Sequence, residues 1–105
     1  MVGMAEIQNL CARIVSSFHP QKVLLFGSYA HGTATPDSDV DILVVMPFAG
    51  KGFRKSLEIL NEMNPSFPTD LLVRRPEDVA RRYEECDPLI REALDMGKVL
   101  YERDS

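Results

Sequence analysis

The sequence predicts an α/β fold: a small mixed β-sheet flanked by helices, folded as one domain over residues 1–105. Three observations predict it. Apolar runs of strand length at residues 22–26, 40–46 and 69–73 alternate with stretches whose apolar side chains recur every three or four positions. Proline and glycine punctuate the junctions. The composition, 45% hydrophobic and 27% charged in 105 residues, suits one globular unit, and no repeat, low-complexity tract or linker divides it.

The elements follow in order. Ile7, Leu10, Cys11, Ile14, Val15 and Phe18 recur at helical steps, so residues 5–18 are expected to form an amphipathic helix. His19 ends it, because the residue before Pro20 avoids the helical region. KVLLF, residues 22–26, is a buried strand. Residues 27–38 are mainly loop, with room for one helical turn at residues 28–31 before Gly32. VDILVVM is the second strand, closed by Pro47. Leu57, Ile59, Leu60 and Met63 mark a helix over residues 53–64, and Pro65 and Pro68 break it. TDLLV, residues 69–73, is the third strand. Pro76, followed by Glu77 and Asp78, starts a helix near the positive end of its dipole. Pro88 opens the last helix, whose buried side is predicted to carry Leu89, Ile90, Ala93 and Leu94. Gly97 caps it, and residues 99–101 make a short final strand.

Charge and cysteine usage narrow the function. The formal net charge is -4, whereas proteins that grip long nucleic acids carry basic patches. Bulk nucleic-acid binding is therefore not expected, which leaves Arg74 with Arg75 and Arg81 with Arg82 as local cationic contacts. Cys11 and Cys86 follow no CxxC or Cys/His spacing and read as reduced, partly buried thiols. No apolar run reaches the roughly 20 residues of a membrane span. The start, MVGMAEIQNL, lacks the basic and apolar regions of a signal peptide, so a cytoplasmic location is expected.

The chemistry concentrates in residues 27–41, GSYAHGTATPDSDVD. Gly27 and Ser28 follow an apolar strand and open a possible helical turn. There a glycine admits close approach of a ligand, helix-start amides attract phosphate, and the Ser28 hydroxyl adds a donor. Asp39 and Asp41 stand two apart at a strand start, which points both side chains to one face. Such carboxylates repel unless a proton or cation lies between them, and their hard oxygens suit Mg²⁺ or Mn²⁺. Asp70 enters another apolar strand in the same way. If the two strands are neighbours, it completes a trio of acids. Alone, each feature is an ordinary turn, a solvated acid pair or a capping aspartate; their combination points to a metal and phosphate site.

Together these residues resemble the nucleotidyltransferases of the DNA-polymerase-β superfamily. Gly27–Ser28, a spacer, Asp39–Val40–Asp41 and the later Asp70 are similar to that family's signature, and the likeness covers essentially the whole chain. The size resembles the stand-alone minimal nucleotidyltransferases, which are commonly paired with a small helical HEPN-domain protein. In some pairs the transferase is the antitoxin and adds AMP to a tyrosine of its HEPN partner. Many minimal members carry Arg where this chain has His31, and an imidazole holds phosphate less firmly than a guanidinium.

The resemblance implies ATP or another NTP as substrate and two magnesium ions, or manganese, held by Asp39, Asp41 and Asp70. It implies in-line attack of an acceptor hydroxyl on the α-phosphorus, with Gly27 and Ser28 holding the phosphate tail. Lys51 and Arg54 are candidate additional phosphate contacts. Two other readings stay open: a non-catalytic module that neutralises a HEPN partner by contact, and nucleotidyl transfer to a small molecule or RNA.

Overall fold

The computed structural model describes residues 1–104 as five helices and four strands. In chain order they are α1 (Met4–Phe18), β1 (Lys22–Phe26), α2 (Ser28–His31), β2 (Val40–Val45), α3 (Gly52–Met63), β3 (Thr69–Arg74), α4 (Pro76–Glu84), α5 (Pro88–Met96) and β4 (Lys98–Glu102). The four strands make one mixed sheet in the order β3-β2-β1-β4. β1 runs antiparallel to both β2 and β4, and β2 runs parallel to β3 through the α3 crossover. This is the predicted α/β class.

The sheet has an apolar core on each face. Val23, Leu25, Ile42, Val44, Leu71 and Val73 pack with Ile7, Leu10 and Ile14 of α1 and with Ile59 and Met63 of α3. Leu24, Phe26, Leu43 and Val45 face the other way, onto Val79 of α4 and Ile90 and Ala93 of α5. Strands covered on both sides read as continuous apolar runs, which is why KVLLF and VDILVV show no alternation.

Local signals set the helix ends. α1 stops at His19, which takes a left-handed conformation (φ 52°) and donates its amide to Val15 O. α4 and α5 both begin at proline, as expected, and α5 gains an N-cap in Asp87, whose carboxylate accepts from the amides of Leu89 and Ile90. Those bonds, Ile90 first, together with Arg82, hold the Asp87 carboxyl below its ordinary value. Gly97 follows α5 where the chain presses on β1: an added Cβ would collide with Ala93 O and lie 2.7 Å from Leu25 O.

Several expectations need correction. Leu89 is exposed, because α5 turns only Ile90, Ala93 and, in part, Leu94 to the core. Cys11 is buried and its thiol pushed up to about 11 by that burial, whereas Cys86 is exposed with φ 63°. Three of the arginines named as local cationic contacts are engaged within the chain. Arg75 donates to the carbonyls of Phe48 and Gly50, Arg81 pairs with Asp78 and Glu85, and Arg82 pairs with Asp87.

Leu43, fully buried in β2, should report the strength of the second core. Leu43→Ala is expected to cost about 2–5 kcal/mol of stability. A denaturant melt showing less than about 1 kcal/mol would mean that β2 is not packed on both faces.

Candidate active site

The carboxyl end of β1, the start of β2 and the start of β3 lie side by side, and this juxtaposition builds the site. In the antiparallel register Asp41 stands opposite Phe26; in the parallel register it stands opposite Asp70. Neighbouring strands are about 4.8 Å apart, so the two aspartates project together from the face that carries α4 and α5. Val40 N donates to Pro68 O at 3.0 Å and fixes the register where the strands enter the sheet.

A tight turn delivers Asp39. Ser38 Oγ accepts from the Thr35 amide (2.9 Å), and the Ser38 amide donates to Thr35 O (3.0 Å). This serine-closed turn around Pro36 and Asp37 brings the chain into β2 with Asp39 exposed, two positions before Asp41.

Gly27 joins the phosphate-loop candidate to the acids. Its φ of 72° lies in the region that favours glycine, and an added Cβ would collide with Asp41 Oδ2 and lie 3.1 Å from Asp41 Cγ. The Asp41 carboxylate therefore leans on the bare Cα of Gly27. The Gly27 carbonyl accepts from the amides of Ala30 and His31, which starts α2 and leaves the amides of Ser28 and Tyr29 without a partner inside the turn. Ser28, half-buried, is the first residue of the turn.

Burial pushes the Asp41 carboxyl up to about 6, with further pushes from Asp70, Asp39 and Glu92. The last of these was not visible in the sequence. Glu92, on α5, accepts from the Gly27 amide at 3.1 Å and lies 3.8 Å from His31 Nε2. It is a fourth carboxylate beside the same acids and already engages a loop amide. As a lone acid on a helix it looks like part of a solvated face; only its position beside Ala93, on the inward turn of α5, hinted otherwise.

Asp39, Asp41 and Asp70 are thus brought to one end of the sheet beside Gly27 and Ser28, as expected. Lys51 and Arg54 are not. They lie at the start of α3, past the far end of β2, about 15 Å along the strands from Asp41. They cannot touch a phosphate held at Gly27. Among the described residues no three potential ligands stand at metal-binding spacing as they are. The donor set still fits a hard cation: all its members are carboxylates, Asp70 and Asp39 add to the raised proton affinity of Asp41, and paired strands hold two of them together.

This fold and its cluster of acids define a class. Residues 8–105 match the family described as "Polymerase beta, Nucleotidyltransferase", and the chain belongs to that family. No curated protein matches it. Among solved structures, a Sulfolobus solfataricus protein assigned as a nucleotidyltransferase aligns over 95% of this chain and 80% of its own, with TM-score 0.66 and 18% identity. A toxin–antitoxin complex with AMP-PNP aligns over 92% and 74%, with TM-score 0.57 and 18% identity. A tri-AMPylated Shewanella oneidensis HEPN toxin in complex with MNT antitoxin aligns over 95% and 72%, with TM-score 0.53 and 15% identity. At such identities the likeness is one of fold. No helix among the described residues is long and apolar enough to cross a membrane.

The raised Asp41 carboxyl makes stability depend on pH. The folded state favours the protonated acid, so this contribution is full below the ordinary value of 3.8 and is lost as pH rises through about 6. The metal-free protein should therefore lose stability relative to Asp41→Asn across that window. Added magnesium or manganese should narrow the gap. Thermal melts of both proteins from about pH 4 to about pH 7 would measure it, and parallel curves would contradict the crowding.

Proposed function

We infer that the protein is a magnesium- or manganese-dependent nucleotidyltransferase that moves AMP from ATP to a tyrosine hydroxyl of a HEPN-domain partner, as the antitoxin of a toxin–antitoxin pair. The observation that carries the transferase reading is the parallel register that sets Asp70 beside Asp41, with Gly27 packed against the Asp41 carboxylate. Nucleotidyl transfer itself follows from the family.

The residues divide the work. Ser28 and the amides at the start of α2 bind the phosphate tail. A divalent ion held by Asp39, Asp41 and Asp70 would supply charge neutralisation and a more acidic acceptor hydroxyl. Asp70, exposed at the rim, accepts the acceptor's proton. The acceptor oxygen then bonds to the α-phosphorus, the bond from that phosphorus to the bridging oxygen breaks, and pyrophosphate leaves. Such chemistry rests on positioning and charge stabilisation, which a rigid sheet end provides.

The protein acceptor is supported from two sides. Similar folds occur in toxin–antitoxin complexes, one described with AMP-PNP and one with an AMPylated HEPN toxin. The net charge of -4, with Arg75, Arg81 and Arg82 occupied by internal partners, disfavours a long RNA.

Incubation with α-labelled ATP, magnesium and a HEPN protein encoded beside this chain should label the HEPN band. Asp39→Ala or Asp41→Ala should lower labelling by about a hundredfold or more with the fold intact. Normal labelling by either variant would refute the roles given to these acids. Ser28→Ala should raise the KM for ATP about three- to tenfold, through loss of one hydrogen bond to phosphate; an unchanged KM would remove Ser28 from the cradle.

A further inference from the structure

β3 is an outer strand of the sheet, and a cleft of about 420 Å³ runs between it and α3. Phe53, Leu57 and Leu60 line the α3 side, and Asp70, Leu72 and Arg74 the strand side. Phe53 and Leu57 are more than half exposed, at 59% and 53%, an unusual state for large apolar side chains on adjacent helical turns. The cleft therefore joins an apolar surface to an acid of the candidate active site. Asp70 belongs to both.

The backbone of β3 adds a second observation. Val40 N donates to Pro68 O and Met46 N to Arg74 O, so even-numbered residues of β3 turn their peptide groups toward β2. In a parallel ladder alternate residues face opposite ways, which turns the amides and carbonyls of Thr69, Leu71 and Val73 outward along the cleft. The Arg74 guanidinium takes Val73 O at 2.9 Å, and Gly52 of α3 crowds the same carbonyl. There the backbone edge is taken up, while the Arg74 side chain itself stays half-exposed. The stretch beside Asp70, Thr69 to Leu72, stays open for pairing.

We propose that this cleft is the acceptor site, taking an extended segment of a protein substrate as an added strand along β3 with its hydroxyl-bearing residue beside Asp70. The proposal rests on the transferase reading above and specifies where the acceptor lies. Backbone pairing supplies affinity and alternate side chains supply selectivity. Asp70, Leu72 and Arg74 share one face of β3, so they meet every second residue of the guest. Arg74 stands four residues, about 13 Å, from Asp70. The guest should therefore carry an acid four residues from its hydroxyl, opposite Arg74. Its intervening odd positions point toward Phe53, Leu57 and Leu60 and should be apolar. On transfer the guest oxygen gains the bond to the α-phosphorus, pyrophosphate departs with the broken bond's electrons, and the hydroxyl proton passes to Asp70.

The probe is the peptide Gly-Tyr-Leu-Thr-Leu-Glu-Gly, blocked at both ends, added to the full chain with manganese and ATP. Its binding should slow exchange of the Thr69 and Leu71 amides. Leu57→Glu and Phe53→Ser change exposed positions, so a fold check by thermal melt accompanies each. Either variant should weaken peptide binding about tenfold and raise the peptide KM for AMP transfer without altering the ATP affinity of the chain. Unchanged exchange at β3, or variants that bind and modify the peptide as the parent does, would overturn the proposal. Protection of these amides without peptide, rising with protein concentration and abolished by Leu57→Glu, would also overturn it, by assigning the cleft to a second copy of the chain. Peptide that binds at β3 but acquires no AMP would leave the docking surface standing and count against the transferase reading. Peptide labelled equally by parent and variants would do the reverse.

Discussion

The site depends on the burial of β2. Both faces of that strand are covered, one by α1 and α3 and the other by α4 and α5, and its apolar residues are almost wholly removed from water. A strand so fixed holds its second residue, Asp41, half-buried next to two other acids. In an open chain the three carboxylates would drift apart and stay solvated. Here the hydrophobic gain of the two cores outweighs their mutual repulsion, because each buried Leu or Ile contributes about 1.5–3 kcal/mol. Stability gathered along the strands is thus used to hold charge in a place it would otherwise leave.

The same arrangement limits how a triphosphate can be held. Arg75, Arg81 and Arg82 are committed to internal carbonyls and carboxylates, and Lys51 and Arg54 are at the wrong end of the strands. At the loop itself the His31 side chain lies against Glu92. Backbone amides and a cation recruited by the acids are then natural partners for phosphate charge. Glu92 already accepts from the Gly27 amide, so an arriving phosphate oxygen and this carboxylate seek one donor.

Much of this was readable in advance. The strands announced themselves as apolar runs because the sheet is covered on both faces. The spacing of Asp39 and Asp41 in an extended chain fixed their common face, and Pro76 and Pro88 marked two helix starts. What escaped the sequence depended on distant contacts. Glu92 approaches Gly27 across 65 positions, and no local pattern encodes that distance. Lys51 and Arg54 looked near the chemistry because they follow β2, yet a strand carries the chain away from its own start. Leu89 fits a helical stripe as well as Ile90 does, yet it is exposed while Ile90 is buried.

The parallel pairing of β2 and β3 also constrains how the chain can vary. Side chains alternate across a strand, so what matters for Asp70 is the parity of its position and not the identity of the residues leading to it. The connection through Pro65 and Pro68 can exchange its residues freely as long as β3 seats Asp70 opposite Asp41. A slip by one would swing Asp70 toward the α1 and α3 side and put Leu71 among the carboxylates. Composition can drift in that connection; its phase cannot.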